Sequence, residues 1–173
     1  MIERVVSGGQ TGVDRAALDA ALARGLACGG WCPKGRRAED GVIPNRYPLN
    51  ETESADYRLR TQRNVSDSDG TLILAIGELT GGTVLTREIA LAQGKPLLVV
   101  DLDTPSPTSG VCEWIQENHI RRLNVAGPRE SLRPGIADRA REFLAVLFAE
   151  AGSPLRGEAR SVGQGEKREP GHE

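Results

Sequence analysis

The chain has 173 residues, of which 27% are charged, and its formal net charge is -2. That length fits a single domain that buries its own core, and the near-neutral charge excludes a global attraction to nucleic acid or to an anionic membrane. No apolar run approaches the roughly 20 residues of a membrane-spanning helix, and no leader pattern precedes the first predicted strand. We therefore expect a cytoplasmic protein with neither a nucleic-acid nor a membrane partner.

The cysteines are three in number, Cys28, Cys32 and Cys112. An odd number argues against a disulfide framework and fits a reducing compartment. The chain has only two histidines, so a structural zinc site would lack a convincing set of ligands. We expect no protein-bound structural metal.

The first predicted strand, residues 2–6, runs into a glycine-rich turn before a helix predicted over residues 13–24. The glycines of this turn, Gly8, Gly9 and Gly12, leave backbone N–H groups uncovered, and the helix adds the positive end of its dipole. Such a turn predicts an anion site. No Gly-Lys-Ser/Thr closes it, as in a Walker A loop, and its glycine spacing differs from the GxGxxG dinucleotide fingerprint.

Three polar side chains of this turn, Gln10, Thr11 and Asp14, stand where a ligand would lie. They favour a binding site, although the glycines alone are also compatible with a turn that only packs tightly. The Asp14 carboxylate could contact a ligand, act as a catalytic base or cap the helix.

A bent basic loop follows the second predicted strand, residues 26–31. Its cations Lys34, Arg36 and Arg37 can bind phosphate or another oxyanion. Alternatively, they pair with the neighbouring Glu39 and Asp40 on a solvated surface. The loop continues to about residue 53 with little periodicity, and loops of this length tend to be functional or mobile.

A helix is predicted over residues 54–65, with Ser54 as its N-cap. Its three arginines, Arg58, Arg60 and Arg63, are spread over two turns. We interpret them as a solvent-exposed face rather than as part of a site.

A second glycine turn follows the most apolar predicted strand, residues 71–76, which we expect in the middle of the sheet. Thr80, Gly81, Gly82 and Thr83 open the next predicted helix and offer hydroxyl and N–H donors. We expect the two glycine turns to lie at the ends of adjacent strands, where they would line one crevice at the carboxyl edge of the sheet.

The remaining elements complete a five-stranded α/β fold. Strands are predicted at residues 97–101 and 122–126, a helix near residues 111–115, and a last helix at residues 134–151. Gly127, Arg129 and Ser131 form a third glycine-bearing turn with anion contacts. We expect residues 1–151 to form a single Rossmann-like ligand-binding domain and residues 152–173 a disordered tail.

Five motifs, in matching order, resemble the family named "putative molybdenum carrier". They are Ser7-Gly8-Gly9-Gln10-Thr11-Gly12-Val13-Asp14-Arg15, Gly30-Trp31-Cys32-Pro33-Lys34-Gly35-Arg36, Asp67-Ser68-Asp69-Gly70-Thr71, Thr80-Gly81-Gly82-Thr83 and Ala126-Gly127-Pro128-Arg129-Glu130-Ser131. Together they cover roughly residues 2–150, so the resemblance is specific. The segment 152–173 lies outside it.

This resemblance implies a Rossmann-like three-layer fold with a mostly parallel sheet, related to the LOG and lysine-decarboxylase-like nucleotide-binding proteins. It also implies a carrier of molybdenum cofactor, a pterin dithiolene with an oxo-molybdenum centre and a phosphate. The carrier would hold the cofactor until its transfer to a molybdoenzyme apoprotein. A homo-oligomer is expected on the same basis.

The residues themselves predict a ligand that bears a phosphate or another oxyanion. The expected contacts are Gly8, Gly9, Gln10, Thr11, Gly12, Asp14, Lys34, Arg36, Thr80, Gly81, Gly82, Thr83, Gly127, Arg129 and Ser131. A nucleotide would be bound equally well, so a pterin and a purine both stay open. A nucleotide-sensing module without turnover is also compatible with these residues.

The LOG hydrolases suggest a contrasting function. Their Pro-Gly-Gly-x-Gly-Thr turn is followed by a glutamate, whereas Thr80-Gly81-Gly82-Thr83 lacks the second Gly-Thr and Glu88 falls about where that glutamate would be. The alternative is therefore a nucleotide phosphoribohydrolase or N-glycosidase with Asp14 and Glu88 as candidate catalytic carboxylates. The departure from the signature favours a binding protein.

Overall fold

The computed structural model describes residues 1–104 and 107–151. The predicted disordered tail, residues 152–173, lies outside the described residues. The helices in the described part are α1 (Val13–Arg24), α2 (Tyr57–Ser66), α3 (Gly81–Ala92), α4 (Thr108–Glu117) and α5 (Ile136–Ala151). The strands are β1 (Arg4–Val6), β2 (Ala27–Cys32), β3 (Arg37–Ala38), β4 (Gly41–Val42), β5 (Leu49–Glu51), β6 (Gly70–Ala75), β7 (Leu97–Asp101) and β8 (Arg122–Ala126).

The central sheet has six parallel strands in the order β5-β2-β1-β8-β6-β7. The α/β class and the mostly parallel sheet are confirmed, but the predicted count of five strands is wrong. The additional strand is β5, which pairs with β2 so that Leu49 lies opposite Gly30. Only Leu49 of its three residues is buried, so β5 carries no apolar run that sequence patterning could detect.

The helices cover both faces of the sheet. From β1 the chain crosses through α1 to β2, whereas from β6 it crosses through α3 to β7 in the opposite direction along the sheet. Because such crossovers are right-handed, α1 and α3 lie on opposite faces. The packing agrees: α1 contacts α5 and α5 contacts α4, while α2 contacts α3.

The core is densest around β6, whose six residues are all buried, as expected for a strand in the interior of a parallel sheet. On the α1 face, α5 turns its apolar stripe inward, with Ile136, Leu144 and Leu147 fully buried. No helix in the described ranges is both long enough and apolar enough to span a membrane.

The strand order corrects one expectation about the site. β1 and β6 are not neighbours, because β8 pairs with both and lies between them. All three strands run parallel, so their carboxyl ends share one edge of the sheet. The three glycine-bearing turns that follow them therefore meet at this edge, with the Gly127 turn in the middle.

The long basic loop also contains a small antiparallel hairpin of β3 and β4, with Arg37 opposite Val42. Arg36, immediately before it, has a left-handed φ of 52°. Both Arg37 and Val42 are exposed, so the hairpin lies at the surface. Of the acidic residues at its tip, Glu39 contacts the first glycine turn and Asp40 contacts Arg15 of α1.

Candidate functional site

A pocket of about 390 Å³ opens at the carboxyl edge of the sheet. Gln10 and Asp14 line it from the first glycine turn, and the amino-terminal ends of α2 and α3 form two of its walls. The loop after β8, from Ala126 to Leu132, closes the remaining side. This is the place where ligands bind in open parallel α/β sheets, and the volume suits a small organic molecule.

The glycines of the first turn allow other segments to approach its backbone. Gly12 has a φ of 78°, and a Cβ there would lie 2.3 Å from the carbonyl oxygen of Pro128. At Gly8 a Cβ would lie 1.7 Å from Nη1 of Arg60. The turn is therefore packed tightly between the loop after β8 and the guanidinium of Arg60. A larger residue at Gly8 or Gly12 would displace these neighbours.

Asp14 lies in the first turn of α1, and only 5% of its side chain is exposed. Its Oδ2 accepts from Nη1 of Arg60 at 3.0 Å and from the Gln10 N–H at 3.3 Å. Burial raises the pKa of the Asp14 carboxyl, against the opposing effect of the Arg60 charge and of these hydrogen bonds. The carboxylate anchors Arg60 rather than capping the helix, since Asp14 lies within α1 and Gly12 is its N-cap.

Arg60 is the principal site residue that the sequence interpretation missed. Its side chain is 16% exposed and lines the pocket, with its guanidinium carbon 5.7 Å from the ring centroid of Tyr57. Its Nε is the one buried side-chain nitrogen or oxygen among the described residues that has no hydrogen-bond partner. An arginine that lines a pocket and is fixed by a carboxylate is suited to an anionic ligand.

The signal for Arg60 in the sequence was indirect. Asp14 is a buried carboxylate in the first turn of α1, and a buried carboxylate needs a positive partner. The three arginines of α2, the helix that precedes β6, were candidates for that partner. Arg63 pairs with Glu53 and stacks on Trp31, with 4.6 Å from its guanidinium carbon to the ring centroid. Arg58 lines the pocket.

The second glycine turn contributes the amino-terminal end of α3. Thr80, Gly82 and Thr83 line the pocket, while Gly81 is exposed beside them with a φ of 52°. The Thr80 side chain makes no capping hydrogen bond, and the first turn of α3 contains no acidic residue. This helix end therefore presents free N–H groups and a positive dipole to the pocket.

The third turn connects the pocket with the β3–β4 hairpin. Gly127 and Arg129 line the pocket, but Ser131 does not: it donates from both its N–H and its hydroxyl to the carboxylate of Glu39. The Thr11 hydroxyl donates to the same carboxylate, and Nε of Arg129 lies 3.8 Å from it. The Glu39 carboxylate thus accepts hydrogen bonds from Thr11 and Ser131, which the sequence analysis had predicted to contact a ligand anion.

Gln10 links the pocket wall to the hairpin, because its Oε1 accepts from the N–H groups of Thr11 at 3.0 Å and Glu39 at 2.9 Å. Gly9 allows another close packing, since a Cβ there would lie 2.4 Å from Cδ1 of Leu49. The backbone carbonyl of Gly9 accepts from Nε of Arg15 at 3.1 Å.

The basic loop supplies none of the residues that line the pocket. The guanidinium of Arg36 donates to the carbonyl oxygens of Ile43, Leu49, Pro44 and Tyr47 at 3.0 to 3.2 Å. Arg36 thus has a structural role, because its hydrogen bonds hold the backbone of residues 43–49 in place. Lys34 is exposed outside the pocket.

The ion pairs suggested within this loop do not form. Glu39 and Asp40 do not pair with the cations of their own loop: Glu39 contacts Thr11 and Ser131, and Asp40 forms a two-point ion pair with Arg15. The Arg15 guanidinium lowers the pKa of Asp40.

Glu88, the second candidate catalytic carboxylate, is exposed on α3 and does not line the pocket. The face of α3 that is buried carries Thr83, Thr86 and Ala90 instead. Of the two carboxylates of the hydrolase hypothesis, only Asp14 reaches the pocket, and Arg60 already engages it.

The pocket combines charged groups with apolar surface. Arg58, Arg60 and Arg129 supply positive charge, Asp14 and Asp56 are the acidic residues of the lining, and Tyr57, Leu85 and Leu132 supply apolar wall. Within the described ranges, no group of three or more His, Cys, Asp or Glu side chains could hold a metal ion. Cys28, Cys32 and Cys112 carry free thiols, and none of them lines the pocket.

Comparison with known proteins agrees with the fold and the motifs. A model of the Circularly permutated YpsA SLOG family matches residues 5–148. The crystal structure of a protein named "Putative molybdenum carrier protein" from Syntrophus aciditrophicus SB is 44% identical, with a TM-score of 0.81 over 85% of this chain and 95% of that one. No curated protein matches the sequence. The resemblance to the molybdenum carriers is therefore confirmed, and the chain belongs to the circularly permutated YpsA SLOG family.

Proposed function

We propose that the protein binds a phosphorylated heterocycle in the pocket at the carboxyl edge of its sheet, and that molybdenum cofactor is its cargo. One observation carries most of this proposal: Arg60 lines the pocket, and Asp14 fixes its guanidinium through a contact of 3.0 Å. A guanidinium fixed in the wall of a pocket is preorganised for a phosphate or another oxyanion.

Further positive groups around the pocket support an anionic ligand. Arg58 and Arg129 line it together with Arg60, and the first turn of α3 points its uncapped end toward it. Helix amino termini bind phosphate through their free N–H groups and their dipole. A ligand with a single phosphate, or with a phosphate and a second anionic centre, would satisfy these donors.

The apolar part of the wall supports a heterocycle rather than a bare anion. Tyr57, Leu85 and Leu132 border the pocket, and Tyr57 is 40% exposed although it is aromatic. Aromatic and aliphatic side chains of this kind accept a flat ring by stacking and apolar contact. Pterin and purine rings share this chemistry.

Molybdenum cofactor is favoured among such ligands by the similarity to the molybdenum carrier protein of S. aciditrophicus. The described residues contain no cluster of metal-ligating side chains, so the cofactor would be held through its pterin and its phosphate, with the metal kept by its own dithiolene. On the same basis we propose that residues 1–151 act as a single ligand-binding domain, in a homo-oligomer that passes the cofactor to a molybdoenzyme apoprotein.

The hydrolase alternative receives no comparable support, because Glu88 is exposed outside the pocket. The test of the proposal is native mass spectrometry of protein freshly purified from molybdenum-replete cells, combined with elemental analysis. We expect a retained phosphorylated heterocycle and molybdenum in proportion to it. A retained nucleotide without molybdenum would limit the proposal to its heterocycle part.

The contrary result is equally clear. If the protein retains no ligand, and if its melting temperature rises with neither nucleoside monophosphates nor molybdenum cofactor released from a molybdoenzyme, the binding function is wrong. Incubation with a panel of nucleoside monophosphates is the control for turnover, since release of free base would identify a hydrolase.

A further inference from the structure

The carboxylate of Glu39 is held at the meeting point of the first and third glycine turns. Ser131 donates to it from its hydroxyl and from its N–H, the latter at 3.2 Å, and the Thr11 hydroxyl is a further donor. Nε of Arg129 lies 3.8 Å from Oε2. The side chain of Glu39 is only 18% exposed, although it comes from a surface hairpin.

The donors around Glu39 form a set that suits an oxyanion. The Oγ1 of Thr11 accepts from the Glu130 N–H at 3.2 Å, so its own proton is free to point at the carboxylate. Together with the N–H and hydroxyl of Ser131, this gives three hydrogen-bond donors and one nearby guanidinium. Tetrahedral dianions such as phosphate and molybdate require the same kind of donors.

This donor set is continuous with the pocket. Arg129 lines the pocket and also faces Glu39, and Gln10 lines the pocket while its Oε1 accepts from the Glu39 N–H. An oxyanion that replaced the Glu39 carboxylate would therefore belong to the same ligand site.

The tip of the segment that carries Glu39 buries little apolar surface. Gly41 is exposed and Val42 is 70% exposed, whereas Ile43, directly after the hairpin, is fully buried and anchors its carboxyl end. Apart from Glu39, its tip is fastened by the ion pair between Asp40 and Arg15, of which Asp40 is 48% exposed. Segments with few buried apolar contacts open at low cost in free energy.

We propose that Thr11, Arg129 and Ser131 form an oxyanion subsite of the ligand pocket, which takes a tetrahedral oxyanion of the ligand and which Glu39 occupies in the free protein. This inference rests on the proposed function for the identity of the ligand, but not for the existence of the subsite. Glu39 is an internal competitor, and ligand binding displaces it together with the β3–β4 hairpin.

The test is isothermal titration calorimetry at pH 7 with inorganic phosphate and, separately, with molybdate. The proteins are wild type, Glu39→Ala, Glu39→Gln and the control Glu117→Ala. Glu117→Ala removes the same charge at the end of α4, which leads into β8 at the opposite edge of the sheet. Binding of one anion and not the other identifies whether the subsite is built for phosphate or for a molybdenum oxyanion.

We expect Glu39→Ala to bind at least one of the two anions about tenfold more tightly than wild type, because removing a charge-assisted internal competitor raises the fraction of protein with an open subsite. Glu39→Gln should show a smaller gain, and Glu117→Ala none. Acetate should weaken anion binding to Glu39→Ala by refilling the subsite. Ser131→Ala in the Glu39→Ala background should reduce the gain, because it removes the hydroxyl donor and leaves the N–H in place.

Equal affinities of wild type, Glu39→Ala and Glu39→Gln for both anions would overturn the inference, as would a gain that Ser131→Ala leaves undiminished. If Glu39→Ala fails to fold by circular dichroism, the isosteric Glu39→Gln decides the test. A gain without retention of any phosphorylated heterocycle would leave the subsite standing and remove the proposed function. Retention of a phosphorylated heterocycle without tighter anion binding by the Glu39 variants would support the proposed function and overturn the subsite.

Discussion

Arg60 and Asp14 are 46 positions apart in the chain, yet Nη1 of the arginine lies 3.0 Å from Oδ2 of the aspartate, and both residues line the pocket. The pair joins α2 to the first turn of α1, two elements that are not consecutive in the chain. Only glycine at position 8 leaves room for it, because a Cβ there would overlap the guanidinium. The ion pair with Asp14 therefore determines the position of Arg60 in the pocket wall.

The first prediction concerns this pair. Asp14→Ala should lower the free energy of unfolding by about 3 kcal/mol, since it leaves a largely buried guanidinium without its counter-ion. The measurement is urea unfolding followed by circular dichroism. The control is Asp138→Ala, which breaks the exposed pair with Arg141 and should cost less than about 0.5 kcal/mol. Equal losses in the two variants would contradict the structural role of Asp14.

The second prediction concerns Arg36, which the sequence suggested as an anion contact. Its guanidinium donates to four backbone carbonyls, so Arg36→Ala should destabilise the protein by about 2 to 3 kcal/mol. Arg37→Ala, at the exposed neighbouring position, should stay within about 0.5 kcal/mol of wild type in the same unfolding experiment. Similar stability of both variants would mean that the loop does not depend on Arg36.

The third prediction separates two glycines of the site. Gly127→Ala should cost about 2 kcal/mol, because its Cβ would lie 2.2 Å from the carbonyl oxygen of Leu74 and 2.5 Å from Cγ2 of Val13. At Gly82 a Cβ would meet nothing within 4 Å, and alanine favours a helix, so Gly82→Ala should not destabilise. Thermal unfolding of the ligand-free variants measures both. A neutral Gly127→Ala would contradict the tight contact between β6, α1 and the third turn.

The fourth prediction is a pH dependence. Although burial opposes it, hydrogen bonds from Ser131 and Thr11 lower the pKa of the Glu39 carboxyl below its ordinary value of 4.5. Glu39 therefore stabilises the folded protein above about pH 4.5, and this contribution is lost as the pH falls through its lowered pKa. It should stay below about 1 kcal/mol, since the hairpin lies at the surface.

Urea unfolding of wild type and Glu39→Gln between pH 7 and pH 3 checks this contribution. The stability difference between the two proteins should be largest near neutral pH and should shrink in acid. A difference that stays constant with pH would show that the Glu39 charge contributes nothing to the fold.

The sequence predicted the main elements of the fold because their apolar runs are strong. The strands at residues 97–101 and 122–126 coincide with β7 and β8, and the buried β6 is shifted by a single residue from its predicted range. β5 was missed because its pairing with β2 depends on backbone hydrogen bonds and on one buried leucine, not on a repeating pattern. The order of strands, with β8 between β1 and β6, is a non-local property that local periodicity does not encode.

The sequence predicted the parts of the candidate site that are made by backbone turns, and it missed the side chains whose partners are distant in the chain. The three glycine turns do converge, since each lies between a parallel strand and the element that follows it, at the carboxyl edge of the sheet. The role of Arg60 depends on Asp14 in another helix, and Glu39 contacts Ser131 across 92 positions of the chain. Sequence patterning treats such charges as a solvated face because their partners come close only in the folded chain.

The central claim is that Arg60 holds an anionic heterocycle in the pocket, and its most direct test is a fifth prediction. AMP, GMP and molybdenum cofactor are titrated calorimetrically into wild type, Arg60→Lys and the control Arg63→Lys. Arg60→Lys keeps a positive charge for Asp14 but lacks the planar guanidinium with its several N–H donors, while Arg63 lies on the same helix and does not line the pocket.

At least one ligand should bind to wild type. Its affinity for Arg60→Lys should be about tenfold lower, because a guanidinium and an ammonium do not bind oxyanions equivalently. Its affinity for Arg63→Lys should equal that for wild type. The account is contradicted if none of the ligands binds to wild type, or if Arg60→Lys binds its ligand as tightly as wild type does.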